Sequence, residues 1–149
     1  MKKAADLPLS HPEPAVELPW PPIDVRLLDS SVWTADLRAR VLWITVLLIA
    51  SQRGARGTID MPVFALSKRA NLSVEDTEAA LAILTAPDPQ SRYQEDGGRR
   101  LIPSSPDRAW GWRVSAWRDR QADRERARAI LRVERHRAKK RAGTTVATP

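Results

Sequence analysis

Between residues 36 and 51 the apolar positions do not keep to one side of a helix. The run Val41-Leu42-Trp43-Ile44-Thr45-Val46-Leu47-Leu48-Ile49-Ala50 is apolar nearly all round. The pattern predicts a helix from about Asp36 to Ser51, capped by Thr34 or Asp36. Such a helix has to be covered on more than one side, by the domain core or by a second subunit. The next two helices show ordinary one-sided spacing. Val63, Leu66 and Ala70 mark a helix entered through Pro62, whose missing N–H costs nothing in a first turn. Asn71-Leu72 turns the chain and Ser73 caps the following helix, with Asp76 three residues on as in a capping box. Thr77, Leu81 and Leu84 then recur at i, i+4 and i+7 until Pro87-Asp88-Pro89 ends the helix.

Short stretches of strand character flank these helices. Thr58-Ile59-Asp60 follows the loop 52–57, and Arg100-Leu101-Ile102 follows Gly97-Gly98. After a turn at Ser104-Ser105-Pro106-Asp107, Trp110-Gly111-Trp112-Arg113-Val114 reads as a returning strand. Residues 23–33 fit either a short strand or an irregular lead-in. The order strand, helix, turn, helix, hairpin predicts a winged helix-turn-helix: mainly α with a small β wing. From Ala116 to Arg141 the chain has no Pro or Gly and is rich in Arg and Ala, which predicts a long basic C-terminal helix. Asp119, Asp123 and Glu125 lie in its early turns and most bases come later, as the helix dipole favours. Its apolar stripe is weak, being Ala127, Leu131 and Ala138 with Ile130 beside them. The expected organisation is a disordered Pro-rich arm over 1–22, a winged-helix domain over 23–117, a basic helical extension over 118–141 and a disordered tail over 142–149.

Charge sharpens this division. The 149 residues carry a net +7, and residues 126–141 alone hold eight bases against Glu134. Everything outside that segment carries 17 bases and 17 acids. The chain is a neutral domain joined to a cationic extension, an electrostatic footprint for nucleic acid or another anionic surface. Cysteine is absent, which removes disulfides, thiolate metal sites and cysteine nucleophiles and is compatible with a cytoplasmic location. The N-terminus lacks a secretory h-region, and Val41–Ala50 is about half of the ~20 residues a membrane helix needs. No membrane partner is expected.

Several residues are candidates for contact with nucleic acid. Arg126, Arg128, Arg132, Arg135, Arg137, Lys139, Lys140 and Arg141 form the extension. In the hairpin region, Arg92, Arg99, Arg100, Arg108 and Arg113 either reach phosphates and a minor groove or merely solvate a small sheet, with Arg99 and Arg100 carrying more weight than Arg108 and Arg113. Six tryptophans stand against one Phe and one Tyr. Trp110, Trp112 and Trp117 fit anchors of the hairpin, and Trp110 is the one singled out for stacking on bases. The helix after Ser73 points elsewhere. It offers Glu75, Asp76 and Glu78 and none of the Arg, Lys, Asn or Gln that read base edges. Those acids suit a helix N-terminus or a protein interface. No catalytic constellation, metal site or cofactor is expected: His11 and His136 have no ligand cluster, and Gly54 and Gly57 lack the Lys-Ser/Thr of a phosphate loop.

From about Ile23 to Arg118 the chain resembles the N-terminal winged-helix domain of phage replisome-organiser, or replication-initiator, proteins. The likeness rests on Leu28-Asp29-Ser30-Ser31-Val32-Trp33, Leu66 to Ser73, Ala80-Leu81…Leu84, Asp88-Pro89-Gln90-Ser91-Arg92, Gly98-Arg99-Arg100 and Gly111-Trp112-Arg113-Val114. Ala116-Trp117 stands where the family often has Asn-Tyr. Larger members continue into a second domain associated with single strands and helicase partners, whereas this chain stops after its basic helix. The resemblance implies a non-enzymatic DNA-binding protein acting in replication, with replication proteins or further copies of itself as partners. A protein-interaction adaptor and a transcriptional regulator are the alternatives.

Overall fold

Asp36 opens the first long helix because its carboxylate accepts from the Arg38 amide at 2.8 Å, satisfying one of the free donors at a helix start. In this computed structural model, residues 24–52 and 54–144 are described; the expected Pro-rich arm and the last five residues lie outside them. The protein is mainly helical with a small three-stranded antiparallel sheet. Helix α1 (Leu37–Ala50) leads to β1 (Thr58–Ile59), then α2 (Val63–Ala70), α3 (Val74–Thr85), β2 (Leu101–Pro103), β3 (Trp112–Val114) and α4 (Trp117–Thr144). Strand β3 lies between β1 and β2. Thr58 and Ile59 pair with Arg113 and Trp112, and Leu101 pairs with Val114.

The lead-in before α1 is irregular. It forms two short 3-10 turns, Val25–Leu27 and Ser31–Thr34, and the strand alternative is not taken. Val32 from the second turn is buried in the core. The turn after α2 needs a left-handed residue, and Asn71 supplies it at φ 53°. Ser73 then caps α3, its hydroxyl accepting from the Asp76 amide at 3.0 Å. Helix α4 runs on to Thr144, past the end at 141 that composition suggests.

The core explains the unusual α1. Leu42, Trp43 and Val46 are buried against Leu66, Leu84, Ile59, Leu101 and Val114, with α3 as the main helical neighbour of α1. One chain therefore covers the greater part of the helix without a second subunit. Its remaining apolar side, Ile44, Leu47 and Leu48, lines a cavity instead.

Glycine is required at 98. It sits at φ +77°, and a Cβ there would lie 2.0 Å from the carbonyl oxygen of Asp88. This close approach clamps two loops together, with the Asp88 amide donating to the Gly97 carbonyl at 3.1 Å. The clamp fixes the Asp88 carboxylate, which accepts from the Ser31 hydroxyl at 2.5 Å and from Arg100 Nη2 at 3.2 Å.

Paired carboxylates make the fold sensitive to acid. Arg26 holds Asp24 below its ordinary 3.8, and Arg38 holds Asp36 at about 2 and lowers Asp76. Burial raises Asp88, but the bonds from Ser31 and Gln90 and the charge of Arg100 outweigh it. A carboxyl group whose pKa is lower folded than unfolded contributes its stability above the unfolded value and loses it as pH falls through the folded one. The midpoint of urea unfolding should therefore be flat from pH 7 to 5 and fall steadily from about pH 4 towards pH 2. A midpoint that held to pH 2 would show that these pairs contribute nothing.

Candidate nucleic-acid interface

From Glu125 to Ala142 every residue of α4 is exposed, so none of this part of the helix is buried in the described core. At about 1.5 Å per residue, the basic segment 126–141 is about 24 Å long. Successive residues step by about 100° around the axis, and the bases sort accordingly. Arg124, Arg128, Arg132, Arg135 and Lys139, at i, i+4, i+8, i+11 and i+15, fall within an arc of about 80° and form one ridge. Arg126, Arg137, Lys140 and Arg141 lie on the opposite side of the helix, spread over about 100°, and Arg126 approaches Asp123 at 3.4 Å. Ile130, Leu131 and Val133 are half exposed between them. The eight expected bases are thus carried on one rod, half of them along one line.

The hairpin arginines fare differently. Arg100, expected as a phosphate contact, is instead a buried residue, only 6% exposed. Its guanidinium stacks over the Trp43 ring at 5.6 Å and bonds Ser31 and Asp88. The pattern of a β-strand places Arg100 at the strand's edge but says nothing of the loop carboxylate that comes back to meet it. Arg99 is half-buried, and its Nη1 donates to the Asp96 carbonyl at 3.0 Å. Arg113 is exposed and reaches Asp96 at 3.2 Å. Arg108 pairs with Asp60 at 3.0 Å and lies 4.0 Å above the Trp110 ring. That cation occupies the face Trp110 would offer to a base, and the indole itself packs against the core. Trp112 is buried and Trp117 partly so, as hairpin anchors should be.

On α3, Asp76 is tied to Arg38 at 3.0 Å and links α3 to the start of α1. Glu75 and Glu78 remain exposed, next to the half-exposed Val74 and Ile83. This surface repels phosphates and suits a protein neighbour. Among the described residues no cluster of His, Asp or Glu is arranged to hold a metal ion, and no helix is long and apolar enough to cross a membrane.

No family model, curated protein or solved structure matches this chain.

The first turns of α4 hold what sequence reasoning missed. Arg120 is sandwiched between Trp43 and Tyr93, with Cζ 5.2 and 4.3 Å from the ring centres. Its Nε donates to the Ser115 carbonyl at 2.9 Å. Tyr93 donates its hydroxyl to Asp123 at 2.7 Å. The i, i+4 pair Arg120 and Arg124 is visible in the sequence, but nothing there brings Trp43 and Tyr93 to it.

Proposed function

We propose that this protein is a non-enzymatic DNA-binding protein of the phage replisome-organiser kind, a winged helix that grips phosphates mainly through α4. The observation that carries the reading is the exposed ridge Arg128, Arg132, Arg135 and Lys139 on a helix that leaves a neutral domain. Each cation that neutralises a phosphate releases a condensed counterion, so the affinity is largely independent of sequence and steep in salt. The order of helices and strands, with β3 between β1 and β2, supports the winged-helix assignment. The reading expects it to act in the cytoplasm. Helix α3 does not serve as a reading helix, because Glu75 and Glu78 present carboxylates where base-reading donors are needed. Its exposed Val74 and Ile83 beside those acids favour a second role, docking of a replication protein or of another copy of the chain.

Fluorescence anisotropy of the full chain on random-sequence single- and double-stranded DNA, across a salt series, tests the reading. The expected result is binding whose logarithmic salt slope on duplex is about −4 or steeper, corresponding to five or more phosphates at roughly 0.9 each. Absence of binding to either form at low salt would remove nucleic acid from consideration and leave the adaptor.

A further inference from the structure

Helix α4 meets the domain along one side. Arg120 stacks on Trp43 and Tyr93, Asp123 accepts from the Tyr93 hydroxyl, and Arg124 approaches Ser51. Counted at about 100° per residue from Arg120, these contacts fall within about 60° either side of zero. The far side of the rod carries Ala129 at about 180° and His136 at about 160°. Both residues are exposed.

Bases flank that line on both hands. Arg128, Arg132, Arg135 and Lys139 occupy about 60–120°. Arg126 and Arg137 occupy about 240–260°, and Lys140 stands between them and the line. Arg126 keeps 78% of its side chain in water, so its 3.4 Å pair with Asp123 is a weak one that a phosphate can replace.

A helix with its side chains is about 10–12 Å across, and the major groove of B-form DNA is about 12 Å wide. A rod seated there has a phosphate backbone on either hand and base edges ahead. Cations on opposite flanks suit that seat, whereas a single strand or a flat anionic surface engages one flank. The small Ala129 lets the rod come close to the base edges and brings no donor with which to read them. The domain, on the reverse side, stays clear of the duplex. The major groove of duplex RNA is deep and narrow, and closed to such a rod.

We propose that residues 125–142 of α4 lie in the major groove of duplex DNA, with the Ala129–His136 line towards the bases and one basic flank on each bordering backbone. That placement rests on the DNA-binding reading and adds to it the form of nucleic acid, the groove and the side of the helix that enters.

Fluorescence anisotropy at low salt tests it with the full chain on four probes. They are a mixed-sequence DNA duplex, one of its strands, the RNA duplex of the same sequence, and the DNA duplex with glucosylated 5-hydroxymethylcytosine, whose sugars fill the major groove. The unmodified DNA duplex is expected to bind at least tenfold tighter than each of the other three. Ala129→Trp should weaken duplex binding at least tenfold and leave single-strand binding within twofold, with far-ultraviolet circular dichroism unchanged. The double changes Arg126→Glu with Arg137→Glu, and Arg128→Glu with Arg135→Glu, should weaken duplex binding by factors within threefold of each other. Equal affinity for the single strand, the RNA duplex or the glucosylated duplex would overturn the placement and leave phosphate binding by α4 standing. So would loss confined to one flank, or a folded Ala129→Trp protein that bound duplex normally. Binding to none of the four probes would overturn the DNA-binding reading itself, and the placement with it.

Discussion

Changing Arg135, Arg137, Lys139 and Lys140 together to glutamate is expected to reduce affinity for duplex DNA by at least a hundredfold at low salt. The segment 126–141 then passes from +7 to −1. Two of the four belong to the ridge and two lie on the opposite side, so the distal half of the helix becomes repulsive all round rather than merely weaker. At roughly 0.9 per phosphate, loss of four contacts would take about 3.6 off the salt slope, which makes the slope a sharper readout than the dissociation constant. All four side chains are exposed and lie beyond the part of α4 that touches the domain, so the melting temperature should move little. An unchanged slope would place the phosphate contacts elsewhere and end the case for α4.

The second large effect is on stability, and it falls on a residue that sequence reasoning places at the DNA. Arg100→Ala removes the guanidinium from between Trp43 and Asp88 and leaves a part-buried carboxylate with no cation, held only by the Ser31 hydroxyl and the Gln90 amide. Breaking a buried ion pair from one side costs about 3–5 kcal/mol. Asp88 keeps a quarter of its side chain in water, which reduces the expected loss to about 2–3 kcal/mol. For a domain of this size that is a fall in melting temperature of about 8–20 °C. Below the new transition, DNA affinity and salt slope should match those of the unaltered protein. A variant with normal melting and a slope reduced by about 0.9 would restore Arg100 to the interface.

These two predictions mark where the sequence is readable. Helix α1 begins at Asp36 and α3 at Ser73 as their caps require, because capping is settled within three or four residues of chain. The strands were legible in place but shorter than their apolar content suggests; β3 spans only Trp112–Val114. The basic segment of α4 was legible because local charge decides it. Arg100 was not, since its partners Ser31 and Asp88 arrive from two distant loops, and one of those loops is held by the close approach of Gly98 to Asp88. The cavity was hidden for the same reason. Ile44, Leu47 and Leu48 read as one more side of an apolar helix until the loop bearing Tyr93 and the first turns of α4 close over them.

Helix α4 is continuous from Trp117 to Thr144, with its first turns seated against Trp43 and Tyr93 through Arg120. That seat fixes more than position. In an uninterrupted helix, rotational phase is inherited residue by residue, so the packing of Arg120 dictates the compass direction in which Arg128, Arg132, Arg135 and Lys139 point. One extra residue between Arg124 and Arg128 would swing the four by about 100° around the axis with composition and net charge intact. The domain thus determines which of its own sides a bound polyanion passes.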